Sequence, residues 1–341
     1  MKKIRFANYL KEYLDFKNIS IKDFANRINI TPKHLISILN GESDLSATII
    51  ENISIVTNIS QDYIYRMELN YKFENTILKY LNDNNMSVSN FLSKFNYKFL
   101  EKNHWMTFTD EEDKLEVIKD ILKYLRVSSP DKIYELDERI LFKSKNEKIE
   151  LLMLWLERCY RKTLEQQVES YKKDNIDILV NYIRKCAREN IFNQDELIKM
   201  FNCNGIALVI EKDIPGSKIR GAFKVHKDVP AIYITYKHKR IADIYFALLH
   251  ELAHCKSDFN KAKASNLISF EDNEIEDKAD KEAYNWMVDD KYYQSIIQNK
   301  NYDISKEDNP KCFIVYRLAH DKIINYSSNL YQKYNIIIKE E

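Results

Sequence analysis

A chain of 341 residues is long enough for two or three domains with cores of their own, and 53 Lys and Arg against 52 Asp and Glu leave a net charge of +1, so any basic surface that attracts nucleic acid must be local. Only 4 Gly and 5 Pro occur, the residues that helix interiors exclude most strongly, so the chain reads as mainly α with a small β-sheet. Five widely spaced cysteines without a CxxC pair argue against a disulfide framework and a thiolate zinc knuckle; with no signal-length apolar run behind Met1-Lys-Lys and none long enough to span a bilayer, a cytoplasmic protein without membrane contact is expected.

Residues 5 to 70 read as four or five short helices. Residues 1 to 40 hold eight Lys or Arg against three acids, whereas residues 41 to 70 hold Arg66 alone against five, so the positive face is N-terminal. Ser20 followed by Asp23 approaches a capping box, and it starts a helix with apolar positions Ile21, Phe24, Ala25 and Ile28. Asn29 suits the left-handed conformation of a sharp turn. Thr31 can cap the next helix, with Pro32 at its first position and Leu35, Ile38 and Leu39 on its buried face. The other face presents Thr31, Lys33, His34, Ser37 and Asn40, side chains suited to contacts in a DNA groove.

The run from Ile21 through Gly41, continued by Ser60-Gln-Asp-Tyr-Ile-Tyr-Arg66, resembles the XRE, Cro-like repressor family and within it the HigA-type antitoxins. The resemblance implies a five-helix DNA-binding domain over residues 1–70, a duplex operator as partner, and a homodimer reading two half-sites.

From Phe73 to about Asn202 the pattern is helical, interrupted at Ser128-Ser129-Pro130 and at Lys143 to Lys148, and 71–202 reads as a helical connecting region. Three β-branched or aromatic runs follow at 206–210, 221–225 and 231–235, predicting a small three-stranded sheet. Helical periodicity returns over Lys239 to Lys256 and Asp272 to Asp289, and two short helices follow from Ser305.

The first of these late helices contains His250-Glu251-Leu252-Ala253-His254. Four-residue spacing puts both imidazoles on one face, about one turn apart, where they can share a tetrahedral Zn2+ with Glu251 beside them. A catalytic zinc needs a third protein ligand and an open position for water. The best candidate is Glu276, 22 residues downstream in Glu276-Asp-Lys-Ala-Asp280, with Glu274 and Glu271 as alternatives. Asp280, one turn on, can fix the tautomer of a ligand histidine, His250 by preference. Zinc with Glu251 as general base suits peptide-bond hydrolysis. Tyr233, Tyr236, His238, Arg317 and His320 are the candidates for stabilising the oxyanion.

Gly205, Ile219-Arg-Gly-Ala-Phe223, the Tyr233 strand, the HExxH segment, Glu276 to Ala283 and Cys312 to His320 together resemble the ImmA/IrrE metallopeptidase family. This resemblance implies a gluzincin-like domain over residues 203–341, with ligands His250, His254 and Glu276, base Glu251, and site-specific cleavage; the expected substrate is a repressor or toxin-system protein, or the chain itself. Lys278 departs from the family, which usually has a second acid there, and Asp289 stands where a proline is common. The alternative is a non-proteolytic antitoxin or repressor that binds DNA and a cognate toxin, its zinc structural or vestigial.

Overall fold

The computed structural model describes residues 5–137, 148–235, 239–265, 273–299, 304 and 308–338. Among them the chain is mainly helical with one small mixed sheet, the expected α+β class. It divides into two compact units: Met1–Leu92 with Phe108–Leu122, and Ser93–Thr107 with Lys123–Glu341. No helix among the described residues is long and apolar enough to cross a membrane.

In the first unit, α1 (Phe6–Phe16), α2 (Ile21–Arg27), α3 (Pro32–Leu39), α4 (Ala47–Thr57) and α5 (Gln61–Asp83) are followed by α6 (Val88–Ser93). Phe6, Leu10, Phe24, Ala25, Leu35, Ile38, Ile50 and Ile64 meet in its core. The caps are those the sequence predicts: Ser20 Oγ accepts from the Asp23 N–H and Thr31 Oγ1 from the His34 N–H, each cap worth about 1 kcal/mol. Asn29 takes a left-handed φ of 58° at the turn between α2 and α3. Ile21, expected on the buried face, is exposed at the first position of α2, and Phe24 and Ala25 are the buried residues of that helix. Buried Arg5 fastens the start of α1 to Glu68 of α5 at 3.3 Å and to the Ser43 carbonyl at 2.9 Å. The expected domain end at residue 70 falls inside α5, since nothing in Leu69-Asn70-Tyr71 interrupts a helix.

Helix α7 (Tyr97–Lys102) belongs to the second unit and most of α8 (Lys114–Leu125) to the first; after α9 (Pro130–Asp137), the second unit is built on α10 (Ile149–Leu164), α11 (Asn175–Glu189), α12 (Gln194–Cys203), β1 (Ala207–Glu211), β2 (Gly221–His226) and β3 (Val229–Thr235). Then come α13 (Ile241–Ser265), α14 (Asn273–Met287), α15 (Asp290–Asn299), α16 (Lys311–His320) and α17 (Asn329–Tyr334). The sheet order is β1-β3-β2, with β1 parallel and β2 antiparallel to β3.

Strand alternation divides the sheet between two helical layers. Leu208, Ile210, Phe223, Val225, Ile232 and Ile234 join a core with residues of α11, α12, α13 and α16. The opposite face meets α10: Tyr233 crosses Trp155 edge-on and its hydroxyl lies 3.2 Å from Thr163 Oγ1, while Glu211 pairs with Arg158 and Lys162. The expected domain break at residue 203 therefore lies within one unit. Helices α10 to α12, read from sequence as a connection, are two of its layers. Periodicity shows that a helix buries a face and does not say against what.

Candidate functional site

Helix α13 starts on the core face of the sheet with Ile244, Leu248, Leu249 and Leu252 buried. That packing fixes the direction in which His250, Glu251 and His254 project. Helix α14 packs on α13 and brings Glu276 to the two histidines. The imidazole Nε2 atoms of His250 and His254 lie 3.1 Å apart. Glu276 Oε2 is 3.1 Å from His250 Nε2, and its Oε1 is 3.3 Å from His254 Nε2. Ligands about 2.0–2.1 Å from a tetrahedral ion are separated by roughly 3.3 Å, so these three residues fit an ion of zinc size.

The outer nitrogens are also engaged. His250 Nδ1 donates to Asp280 Oδ1 at 2.8 Å, as the sequence reading expects. His254 Nδ1 donates to Asp258 Oδ2 at 3.2 Å. Asp258 is buried and follows His254 by one helical turn. The sequence reading missed it, although the four-residue interval was the signal that could have found it. Both hydrogen bonds point the remaining nitrogen of each ring inward, toward Glu276.

Charges in the cluster are strongly coupled. Burial disfavours the cationic form of His250, but Asp280, Glu276 and Glu251 outweigh it and raise the imidazole to about 10. His254 likewise rises to about 9 against burial, through Asp258, Glu276 and Glu251. Burial works against ionised Glu276 as well, yet hydrogen bonds from the two histidines bring it down to about 2. For Glu251, burial raises the carboxyl to about 7, opposed by the attraction of His250 and His254 and aided by the repulsion of Glu276 and Asp280. A metal ion here would replace the imidazole protons with its own charge.

Glu251 is only 3% exposed, and its Oε2 is buried without a hydrogen-bond partner. Its carboxylate lies against Gly221, at the start of β2, where an added Cβ would come within 2.4 Å of Oε1. These groups form the floor of a cavity of about 930 Å³, walled by Arg220, Arg240, Phe246, Tyr316, Tyr326 and Tyr331.

The remaining candidates separate clearly. His320 lines the cavity, half-exposed, with its ring 4.8 Å from that of Tyr284. Tyr233 does not: strand alternation turns it to the α10 face, where His226 Nε2 lies 2.7 Å from its hydroxyl. Nor does Arg317 of α16, whose guanidinium bonds to Asp290 and the Val288 carbonyl and lies over the Tyr293 ring, tying α16 to the junction of α14 and α15. Tyr236, His238 and Glu271 lie outside the described residues. Glu274 is exposed and stands apart from the ligand cluster. Cys255 is buried in the core, as expected.

In the first unit, Lys33 and Asn40 are exposed on α3, and His34 is partly exposed. Thr31 is occupied as the cap, and Ser37 Oγ lies 2.7 Å from Ser43 Oγ in the turn beyond Gly41. Ile36, which the sequence reading did not select, is exposed on the same helix. Comparison of the chain with protein-family models, curated proteins and solved structures finds no match.

Proposed function

We propose that this chain is a DNA-binding regulator with a zinc-dependent endopeptidase centre at His250, Glu251, His254 and Glu276. The observation that carries the reading is the 3.1–3.3 Å convergence of His250 Nε2, His254 Nε2 and the Glu276 carboxylate, with the unpartnered Oε2 of Glu251 beside them. A structural zinc site gains nothing from an unpaired buried carboxylate, which costs free energy unless something uses it.

Zinc, when bound by these three side chains, would supply the Lewis acidity that activates water and polarises a carbonyl. Glu251 takes a proton from the attacking water on its free oxygen and returns it to the leaving amine nitrogen. Burial raises the Glu251 carboxyl above its ordinary range, the direction that suits a group which both takes and returns a proton. Asp280 and Asp258 hold the two imidazoles in one tautomer and one orientation. The cavity of about 930 Å³ is large enough to receive a segment of polypeptide. His320 is the described residue retained as oxyanion donor, because it alone of His320, Arg317 and Tyr233 lines the cavity. Helix α3, with Lys33, His34 and Asn40, is assigned to the major groove of an operator.

Replacing Glu251 with Gln tests the assignment. The amide cannot accept the water proton, so Glu251→Gln should retain zinc and fold while protein fragments produced by the wild-type chain disappear. Fragment profiles of cells carrying either chain, taken by mass spectrometry under a range of stresses, read this directly. Identical profiles and identical transcription in both would leave the non-proteolytic antitoxin or repressor, bound to DNA and a cognate toxin, as the reading to adopt.

A further inference from the structure

The cavity above the proposed centre has a charge asymmetry that the hydrolytic reading does not use. Most of its acids are engaged. Glu276 and Asp280 are held by the histidines, while Glu251, the proposed base, lies against Gly221 with its Oε2 unpartnered. Asp243 accepts from Asn335 Nδ2 at 3.1 Å and from the Tyr331 hydroxyl at 3.4 Å. Of the cations, Arg240 is spent on the Asn335 carbonyl and the Gln332 side chain. Lys218 and Arg220 also line the cavity and are exposed, and among the described residues neither meets a carboxylate within ion-pair distance.

Arg220 is placed with particular economy. Its carbonyl accepts the Thr235 N–H at 2.9 Å, which pins its backbone to β3. The next residue is Gly221, against which the Glu251 carboxylate rests. The guanidinium therefore springs from a point one residue, about 3.8 Å, from the contact with the proposed base. Phe246 also lines the cavity, one helical turn before His250, and packs its ring at a tilt against Tyr316 at 5.3 Å and Tyr284 at 4.7 Å to make an apolar wall.

Resting on the proposed peptidase reading, we infer that the cavity selects an extended polypeptide segment with an acidic side chain, recognised by Arg220 and Lys218, within two residues of the bond presented to Glu251, and an apolar side chain against Phe246. The distance follows from the rise of an extended chain, about 3.3 Å per residue, set against the reach of one arginine. Arginine offers a planar pair of donors that matches a carboxylate, and Lys218 adds a second positive charge.

The test uses the zinc-loaded full-length Glu251→Gln chain, so that binding is read without turnover. Three fluorescent hexapeptides blocked at the N-terminus serve as probes: one with Glu before a central Phe and an amidated end, the same with Lys for Glu, and one with Gln for Glu and a free C-terminal carboxylate. Anisotropy should show the Glu peptide binding at least about tenfold more tightly than the Lys peptide, since like charges facing each other in a cleft are strongly disfavoured. Arg220→Gln should erase most of that preference, and Arg220→Glu should invert it. Arg220 is exposed, so neither change should disturb folding, and zinc content checks that. Equal affinity for the Glu and Lys peptides, no binding of either, a preference unchanged in Arg220→Glu, or binding of the free-carboxylate peptide alone would each overturn the inference. If the Glu peptide binds as expected but the wild-type chain never cuts it or any other Glu-containing sequence, the peptidase reading fails and the acidic-segment site stands.

Discussion

Asp258 is buried beside a metal-ligand candidate and accepts a hydrogen bond from His254 Nδ1 at 3.2 Å. Substituting it with Ala leaves the His254 Nδ1–H without that acceptor and releases the ring from its orientation. Loss of such an outer partner costs metal affinity by about 10–100-fold. We expect Asp258→Ala to weaken zinc binding within that range, and Asp258→Asn, whose amide oxygen can still accept, to weaken it less. Competition against a chromophoric chelator measures both, with circular dichroism as the check on folding. An affinity unchanged in Asp258→Ala would remove the residue from the site. At this scale much was legible. The four-residue intervals His250–His254 and Glu276–Asp280 each put two side chains on one helix face, whereas the 22 residues between His254 and Glu276 leave their meeting to the packing of α14 on α13. Arg220 and Tyr331 could not be read this way, since only the folding of β2 and α17 around α13 brings them to one cavity.

The meeting of β2 with α13 sets the position of the proposed base. Gly221 pairs with Ile234 in regular sheet, without a left-handed φ, so alanine there costs no backbone strain. Its methyl group would nevertheless stand 2.4 Å from Glu251 Oε1 and 3.1 Å from Cδ, and the carboxylate would have to move. A displacement of about 1 Å in a catalytic group can cost on the order of 100-fold in rate. Gly221→Ala should therefore lose about that much activity while keeping zinc within twofold, measured as turnover per bound metal on a peptide the wild type cuts. Unimpaired turnover would mean that Glu251 does not need its observed position. The three strands, α13 and α14 were recognisable from composition and period, but their arrangement was not. In β1 every residue is buried, so alternation cannot tell one covered face from the other. The same ambiguity is why Tyr233 could be considered for the cavity although it faces α10.

The stretch from 73 to 202 shows how far a single sequence carries at the scale of the whole molecule. Its helices are predicted by periodicity, yet α10, α11 and α12 could be assigned to the sheet only once β1 and β3 had paired across the 24 residues that separate their partners. Two compact units, each with a core of its own, lead to a reciprocal expectation for the full-length protein. Lys33 and His34 lie on α3 in the first unit, and His254 on α13 in the second. The double variant Lys33→Ala with His34→Ala should weaken binding to duplex DNA from the chain's own upstream region. It should also flatten the salt dependence, by about one unit of slope for each phosphate that the variant no longer neutralises. Its zinc content should be that of the wild type. His254→Ala should lose zinc, because two ligands cannot hold the ion that three converge upon, and should keep both DNA affinity and salt slope. Fluorescence anisotropy across a salt series and metal analysis by mass spectrometry read the four quantities on the same preparations. If His254→Ala abolishes DNA binding, or the α3 double variant strips the zinc, the two activities do not reside in separate units, and the proposed division of labour between α3 and the α13–α14 centre fails.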